Sequence, residues 1–539
     1  MNILTVRGSF SIAPFIALLL APLAALQADV TLPNIFGDHM VLQRDMAVPV
    51  WGTAAPGEKV TVKFRGNAKT TTADSTGNWQ VKLDPLTAGG PEQLTVNAAN
   101  TLTITDVLVG EVWVGSGQSN MQMTAASYIP GMKTGDTGLN KSPGDKHLLA
   151  AVNAGPYPQI RIITSGQGGW QPSTPENLMK FSALLQSFGV PLQKKLNVPV
   201  GLMVAAVGGT PSGRWLTPQA IARDPACQQA IAKANETFSM ETEQKKFADA
   251  LKKYEADLAA WNQLPEDQKK VKHAPGKPNP PVKPGESNAV IGDLHDKILK
   301  PFIGYGIRGV LWDQGEGGTA VNGIDQYTMM GALIRSWRQE WNQGDFPFLY
   351  IQKPSGRGCA FDYADPVFGW ASDPFEQLPP TVPNNGANVE LYIRISSHPN
   401  TFMVPICDLG SGTHYWNKSG YGARAARVAL GAVYGEKVET SGPVYASHKV
   451  EGNKVIVRFT HVGQGLAFRN AETLQGFALA GEDKKFVWAD ATISGDTVVL
   501  SSPQLSQPVF VRYAWADSRT WANLFNKDGL PAIPFRTDP

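Results

Sequence analysis

The sequence predicts an α/β protein in which a parallel sheet wrapped by helices is flanked by two β-rich regions. Three patterns along the 539 residues lead to this prediction. Apolar and polar residues alternate before about residue 105, and they alternate again after residue 440, as in half-buried strands. Between these regions, short apolar runs alternate with helical stretches, which is typical of parallel strands connected by helices. With 42% apolar residues, the chain can bury a large core.

Residues 1–28 have the features of an export signal. Arg7 precedes an apolar stretch at residues 12–26, and Ala28 then precedes Asp29. A short apolar region followed by a small residue at the cleavage site is the signal-peptide pattern. The stretch contains prolines and is too short for a comfortable membrane span. We therefore expect a periplasmic or secreted mature protein that has no membrane anchor after cleavage.

The first region after the signal, residues 29–105, is predicted to form a β domain. Apolar and polar residues alternate at residues 60–65 and at residues 79–83, and a turn-forming segment at residues 74–78 precedes the second run. Such alternation predicts strands with one buried face.

The first chemically informative segment lies near the start of the predicted α/β domain, residues 106–439. An apolar run at residues 107–114 leads into GSGQSNM at residues 115–121. An apolar run followed by small residues predicts a strand that ends in a tight turn. If a helix follows, the Ser119 hydroxyl lies at a helix N-terminus, where unpaired N–H groups can stabilise an oxyanion.

Two further segments combine a strand-like apolar run with a polar cluster at its C-terminal end. They are GVLWDQGE at residues 309–316 and DLGSGTHYWNK at residues 408–418. Open α/β sheets place their functional sites at the carboxyl ends of strands. Both polar clusters are therefore expected at the carboxyl edge of the sheet, where a functional site would lie.

Together the three blocks resemble the sialate O-acetylesterase family of SGNH hydrolases. That family carries a Gly-Gln-Ser-Asn-Met block, a Trp-x-Gln-Gly-Glu block and a late His that is followed four residues on by Lys. The resemblance extends from about Leu32 to residues 523–536. It implies a three-layer αβα SGNH-hydrolase domain with a parallel sheet, flanked by β-sandwich-like regions. It also implies that the chain removes O-acetyl groups from sugars.

A serine hydroxyl is a poor nucleophile until a nearby base takes its proton. Among the eight histidines, His414 has the best context, because it follows a predicted buried strand and precedes an Ala-rich helix at residues 423–434. Its position in the third block makes it the expected base for Ser119.

The acid that would orient His414 has three candidate solutions. Many SGNH hydrolases carry an Asp three residues before the His, but this chain has Ser411 there. Glu316 is one substitute, since a related group of carbohydrate acetylesterases uses the corresponding Glu, and Asp408 is another. The third solution is a Ser–His dyad in which a backbone carbonyl holds His414.

The resemblance also implies the donors of an oxyanion hole. The Ser119 N–H is one, a backbone N–H from Gly208 or Gly209 is the second, and the Gln314 side-chain amide is the third. Glycine at the second position lets the backbone approach the substrate closely. The chain has glycines at residues 317–318, where relatives usually carry Ser-Asn, and this change is expected to widen one wall of the site.

An insertion at about residues 221–290 interrupts the α/β domain. Apolar residues from Phe247 to Trp261 recur at helical spacing and predict an amphipathic helix that packs on the domain surface. A Pro-rich stretch at residues 275–284 predicts an extended loop. The final region, residues 440–539, returns to strand-like alternation and predicts a second β domain.

Composition and motifs argue against several other classes. A net charge of +2, without a basic stripe interleaved with aromatic residues, argues against a nucleic-acid partner. The chain has no Gly-x-x-x-x-Gly-Lys loop, no His-Glu-x-x-His and no paired CxxC, so neither a metal nor an organic cofactor is implied. The cysteines, Cys227, Cys359 and Cys407, leave room for one disulfide, for which Cys359 and Cys407 are the favoured pair.

The expected function is hydrolysis of O-acetyl esters on a sugar, either a sialic acid or a plant polysaccharide. In this hypothesis His414 deprotonates Ser119, which forms an acetyl-enzyme with the substrate. The alternative is a carbohydrate-binding protein that keeps the esterase scaffold but has lost activity. Ser411 and the glycines at residues 317–318 suggest this alternative.

Overall fold

The computed structural model describes residue 1 and residues 29–129, 144–269, 272 and 274–539. Apart from Met1, the predicted signal segment lies outside the described residues. None of the helices in the described ranges combines the length and the apolar character that a membrane span needs.

The strands and helices are named here in chain order. The strands are β1 (Val41–Gln43), β2 (Val48–Thr53), β3 (Lys59–Phe64), β4 (Asn67–Thr72), β5 (Asn78–Leu83), β6 (Gly89–Asn97), β7 (Thr101–Gly117), β8 (Tyr157–Thr164), β9 (Gln171–Ser173), β10 (Val200–Ala206), β11 (Gly309–Asp313), β12 (Phe348–Ile351), β13 (Thr401–Val404), β14 (Val444–Glu451), β15 (Lys454–Thr460), β16 (Leu466–Phe468), β17 (Phe477–Ala480), β18 (Val487–Trp488), β19 (Asp490–Ser494), β20 (Thr497–Ser501), β21 (Phe510–Tyr513), β22 (Leu524–Asn526) and β23 (Phe535–Arg536). The α-helices are α1 (Ser119–Gln122), α2 (Lys146–Asn153), α3 (Pro175–Met179), α4 (Ala183–Leu196), α5 (Pro218–Arg223), α6 (Pro225–Thr237), α7 (Met240–Asn262), α8 (Glu266–Lys269), α9 (Gln326–Trp341), α10 (Ala387–Arg394) and α11 (Lys418–Ala432).

The centre of the molecule is a sheet with the strand order β13-β12-β11-β7-β10-β8-β9. Its neighbouring strands are parallel, except for the antiparallel pair of β8 and the edge strand β9. Parallel neighbours need crossover connections, and the helical segments between the strands supply them. The predicted α/β fold class is therefore confirmed.

Side chains on the two faces of this sheet belong to two separate cores. Along β7, Val112 and Val114 pack into one core together with Trp337 of α9. Trp113, which points to the opposite face, packs into the other core together with Phe188 of α4. Because successive side chains of a strand point to opposite faces, this division shows that helices cover both sides of the sheet.

Strand β7 joins the N-terminal β region to the central sheet. Its first half pairs with β6 in antiparallel fashion, and its second half pairs with β10 and β11. Asp106, at the predicted boundary of the two domains, has a φ of 54° within this continuous strand. An ion pair of 2.9 Å with Arg161 of β8 holds its carboxylate. The boundary after residue 105 stays a prediction.

Two predicted helices differ in detail from their observed form. The helix expected around residues 247–261 is α7, and none of its side chains is fully buried. The helix expected from residue 423 begins five residues earlier, at Lys418. The side chain of Asn417 caps it by accepting a hydrogen bond of 2.7 Å from the N–H of Gly420. Such a cap satisfies a helix N–H that would otherwise lack a partner.

The C-terminal region contains antiparallel sheets, as the alternation predicted. One has the strand order β14-β15-β20-β19, another has the order β18-β17-β21-β23, and β16 pairs with β22. Val457 of β15, Phe477 of β17 and Val511 of β21 pack into a common core. The buried faces of the two larger sheets therefore meet in a sandwich-like arrangement.

The three cysteines are free and buried, so the disulfide that the sequence allowed between Cys359 and Cys407 is not formed. Burial raises the pKa of the Cys227 thiol to about 12, and it raises the pKa of the Cys359 thiol to about 12 as well. A buried thiol with a raised pKa is a poor nucleophile, because the thiolate is the reactive form.

Candidate active site

Ser119 lies at the carboxyl end of β7, as the first residue of the short helix α1. In the turn before it, Gly117 has a φ of 125°, and a Cβ atom at this position would lie 2.2 Å from the carbonyl oxygen of Asp313. The N–H of Gln118 donates to the same oxygen at 2.9 Å. Only glycine can combine this φ with such a close approach of β11. The turn therefore places Ser119 at the carboxyl edge of the sheet.

The structure brings His414 to Ser119. The two side chains are 295 residues apart in the sequence, yet His414 Nε2 lies 2.9 Å from Ser119 Oγ. His414 is on the loop between β13 and α11, and Ser119 follows β7. With Nε2 unprotonated, the imidazole accepts the hydroxyl proton, which is the geometry that a general base needs.

Neither proposed carboxylate reaches the imidazole. Glu316 Oε1 accepts hydrogen bonds from Lys353 Nζ at 2.6 Å and from Asn120 Nδ2 at 3.4 Å. Asp408 is 2% exposed and pairs with the Arg424 guanidinium through both of its oxygens. No hydrogen bond or ion pair joins either carboxylate to His414 among the described residues. The expected direct contact of Glu316 with the imidazole is thus replaced by contacts with Lys353 and Asn120.

The residue three positions before His414 contacts a carboxylate that the sequence analysis missed. Ser411 occupies this position, and its hydroxyl donates a hydrogen bond of 2.8 Å to Asp373 Oδ1. The other oxygen of Asp373 accepts from the backbone N–H of Arg357 at 3.0 Å. Asp373 therefore orders the loop that carries His414 through a serine.

Two of the predicted oxyanion donors are already engaged within the protein. The N–H of Gly208 donates to Gln122 Oε1 at 2.7 Å. The Gln314 amide is 2% exposed, and its nitrogen donates to the carbonyl oxygen of Gly318 at 2.9 Å. A saturated, buried amide is poorly placed to bind a substrate oxygen, because it would first have to give up its existing acceptor.

The other two predicted donors are better placed. Ser119 is the first residue of a helix, so its N–H has no acceptor within that helix. Among the described residues, the N–H of Gly209 has no hydrogen-bond acceptor. Gly208 is close to the nucleophile, because a Cβ atom built on it would lie 3.3 Å from Ser119 Cβ. This arrangement favours Ser119 and Gly209 as the backbone donors, and their role stays a prediction.

The glycines at residues 317–318 do not open the site wall in the expected way. A Cβ atom on Gly317 would lie 2.8 Å from the carbonyl oxygen of Thr210, so this position is closely packed. Gly318 has a φ of 62° and has open space where a Cβ atom would be. The change therefore permits a tight contact at Gly317, and it creates space only at Gly318.

Lys353 is a buried cation that the sequence analysis missed. It follows β12 by two residues, and its Nζ lies 2.7 Å from Asp313 Oδ1 and 2.6 Å from Glu316 Oε1. Burial alone would lower the pKa of Lys353, but Asp313 and Glu316 outweigh burial and raise it. The sequence signal that could have identified it is its position directly after an apolar strand, because the carboxyl ends of parallel strands lie on one edge of the sheet.

A second buried lysine, Lys418, contacts the residue that follows the nucleophile. Its Nζ donates to Asn120 Oδ1 at 2.6 Å and lies 3.4 Å from the centre of the Tyr415 ring. Burial lowers the pKa of Lys418 well below its ordinary value. The Tyr415 hydroxyl donates to Asp313, the carboxylate that also pairs with Lys353. The two lysines therefore belong to one buried polar network beneath Ser119 and His414.

A cavity of about 280 Å³ opens beside these groups. Its lining includes Glu316 and Lys353 on one side, Thr413 next to the base, and the side chains of Arg357 and Tyr392. A recess of this size, next to the residue that precedes the base, can accept a small polar molecule.

Comparison with known proteins gives this geometry a context. No protein-family model matches the chain. The sialate O-acetylesterase of Rattus norvegicus is 27% identical over 543 residues, which cover 92% of each chain. The human sialate O-acetylesterase is 26% identical and covers 93% of this chain and 91% of its own. The chain is thus similar to sialate O-acetylesterases over nearly its whole length.

A solved structure agrees with the sequence relatives. A carbohydrate acetylesterase from Xanthomonas citri is 28% identical, with a TM-score of 0.68, and the match covers 95% of this chain and 100% of the other. The resemblance predicted from the three sequence blocks is therefore confirmed, and it extends over nearly the whole of this chain.

Proposed function

We propose that the chain is a carbohydrate esterase that hydrolyses O-acetyl esters on sugars through a serine acetyl-enzyme. The observation that carries the proposal is the 2.9 Å contact of Ser119 Oγ with His414 Nε2 at the carboxyl edge of a parallel sheet. Sialate and carbohydrate acetylesterases among its relatives support the ester-hydrolase class and an acetylated carbohydrate as the substrate.

The geometry suggests a two-stage reaction. His414 Nε2 takes the proton of Ser119 Oγ while that oxygen attacks the acetyl carbonyl carbon. The N–H groups of Ser119 and Gly209 donate to the oxyanion of the tetrahedral intermediate. The intermediate collapses as the C–O bond to the sugar breaks, and the imidazolium returns its proton to the leaving sugar oxygen. In the second stage, His414 deprotonates a water molecule, which attacks the carbonyl carbon of the acetyl-enzyme. The C–O bond to Ser119 then breaks, the imidazolium returns its proton to Ser119 Oγ, and acetate leaves.

The alternative function, sugar binding without catalysis, was suggested by Ser411 and by the glycines at residues 317–318. The contacts of these residues give the alternative no support. Ser411 still leads to a carboxylate, Asp373, and Gly317 is closely packed against Thr210. Neither change disturbs the contact between Ser119 and His414.

The proposal is tested by acetate release from a panel of acetylated sialosides, xylans and xyloglucans, together with turnover of an aryl acetate. Ser119→Ala should lower kcat/KM for the aryl acetate by about 1,000-fold or more, because the nucleophile is lost. Ser116→Ala, near the end of β7, is a matched control, since the buried Ser116 hydroxyl has no hydrogen-bond partner among the described residues. Retention of more than about a tenth of the activity in Ser119→Ala would exclude Ser119 as the nucleophile.

Export of the protein is part of the proposal and rests on the signal pattern in residues 1–28. A cleaved signal would leave Asp29 as the first residue of the mature chain. Intact-mass measurement of protein recovered outside the cytoplasm should therefore give the mass of residues 29–539. Recovery of the uncleaved chain in the cytoplasm would argue against export.

A further inference from the structure

We propose that Asn120 is a positioning residue that holds the nucleophile and the base at reacting distance. The inference rests on the proposed function, because it concerns the step in which His414 takes the proton of Ser119. It assigns a task to a side chain that touches neither the substrate nor the reacting atoms.

The first observation is a direct connection between the two catalytic segments. Asn120 follows Ser119 in the chain, and Thr413 precedes His414. Asn120 Nδ2 donates a hydrogen bond of 2.9 Å to the backbone carbonyl oxygen of Thr413. Asn120 is fully buried, so water cannot replace this bond at low cost. A single amide therefore ties the turn of the nucleophile to the loop of the base.

The second observation is that the neighbours of Asn120 determine the orientation of its amide. Lys418 Nζ donates a hydrogen bond of 2.6 Å to Oδ1. On the other side, the Thr413 carbonyl oxygen and a Glu316 carboxylate oxygen can only accept. A flipped amide would place its oxygen against two acceptors and its nitrogen against a donor. The observed orientation is the one that satisfies all of these contacts.

The third observation is that the polar contacts around Asn120 form a closed ring. From Asn120 the ring passes through Glu316, Lys353, Asp313, Tyr415 and Lys418, and it then returns to Asn120. Every step is a hydrogen bond or an ion pair, except the contact of the Lys418 ammonium with the Tyr415 ring. Within this ring Glu316 acts on His414 through Asn120 and Thr413 and makes no direct bond to the imidazole.

The consequence for catalysis follows from the distance that proton transfer requires. A general base must lie about 2.6–3.2 Å from the proton donor, and a displacement of about 1 Å can lower the rate by about 100-fold. Loss of the Asn120 bond removes the direct link between the turn of Ser119 and the loop of His414, so the average distance between the two side chains should increase. Since Asn120 is buried and does not reach the cavity, substrate binding should change little.

Kinetics of Asn120→Ala on an aryl acetate test the inference. We expect kcat to fall by about 10- to 100-fold while KM changes by less than about threefold. Asn523→Ala is a matched control: Asn523 is also fully buried and donates to two backbone carbonyls, of Arg469 and Thr473, in the C-terminal region. It should affect thermal stability without lowering kcat.

A second readout separates positioning from a general structural role. In the His414→Ala background, Asn120→Ala should change the remaining rate by less than about twofold, because no base is left to position. A structural defect would lower that rate as well. Lys418→Met removes the donor to Oδ1 without leaving a buried charge, and it should lower kcat by about 3- to 10-fold. This variant replaces Asn120→Ala in the test if Asn120→Ala does not fold.

The outcomes are distinguishable. Parental kcat in both Asn120→Ala and Lys418→Met, with Ser119→Ala inactive, overturns the inference and leaves the proposed function standing. A full additional loss from Asn120→Ala in the His414→Ala background also overturns it. Absence of Ser119-dependent hydrolysis in the parent protein rejects the proposed function and the inference with it.

Discussion

Replacement of Asp408 by Asn should destabilise the protein strongly and leave the chemistry of the folded enzyme nearly unchanged. The Asp408 and Arg424 side chains are each 3% exposed. The guanidinium donates two hydrogen bonds to the carboxylate, of 2.8 Å to Oδ2 and 3.2 Å to Oδ1. Removing one member of a buried pair leaves the other charge uncompensated, which costs about 3–5 kcal/mol. We therefore expect the free energy of unfolding to fall by about that amount for Asp408→Asn.

Chemical denaturation and turnover of the folded fraction measure the two effects separately. Removing both charges in Asp408→Asn/Arg424→Met should restore part of the lost stability, because no unpaired buried charge is left. Glu176→Gln removes an exposed ion pair with Lys180 and should leave stability unchanged, which makes it a control for charge removal. If Asp408→Asn kept its full stability and lost turnover, Asp408 would belong to the catalytic machinery, and our interpretation would be wrong.

Three further predictions concern the base, a buried histidine and the thiols. His414→Ala should lower kcat about as much as Ser119→Ala, and the double variant should be little worse, because the two residues act in one step; independent, multiplicative losses would contradict a shared step. Burial alone would lower the pKa of His295, but Glu340 and Asp296 outweigh burial and raise it. Its stabilising contribution is therefore complete below about pH 6.5 and is lost as the pH rises through the raised pKa. Denaturation of His295→Gln should accordingly lack the decline in stability that the parent shows as the pH rises above about 6.5, and an identical decline in both proteins would exclude this role. Titration with a thiol reagent should detect no reactive cysteine in the native protein and all three after unfolding, whereas two missing thiols after unfolding would reveal a disulfide.

Local patterns predicted the elements that depend on neighbouring residues. The alternation at residues 60–65 and 79–83 corresponds to β3 and β5, whose side chains alternate between buried and exposed. The run before Ser119 lies in β7, and the strand continues through the small residues to Gly117, two residues before Ser119. These features were predictable because strand periodicity and the conformational freedom of glycine act over a few residues.

Contacts between distant segments could not be predicted in the same way. The sequence analysis kept three solutions for the acid of His414, and Glu316 was among them because a related group of carbohydrate acetylesterases uses the corresponding Glu. Lys353, two residues after β12 and outside the recognised motifs, forms an ion pair with the Glu316 carboxylate. The Gln314 amide was expected to face the substrate, and the carbonyl oxygen of Gly318 holds it in the interior. For Glu316 the partner lies 37 residues away, outside the motif. For Gln314 the partner is four residues away, and the motif does not specify the loop conformation that brings the two groups together.

By itself, the sequence determined the α/β class, the serine and histidine that meet at the sheet edge, and the resemblance to the acetylesterases. Each of these depends on local periodicity or on short motifs. Only the tertiary structure decided which polar groups pair beneath Ser119 and His414, and that Asn120 and Lys418 belong to that set. The physical reason is that a buried hydrogen bond or ion pair depends on which side chains face each other after the strands have packed. Residue spacing along one segment contains no information about a partner hundreds of positions away.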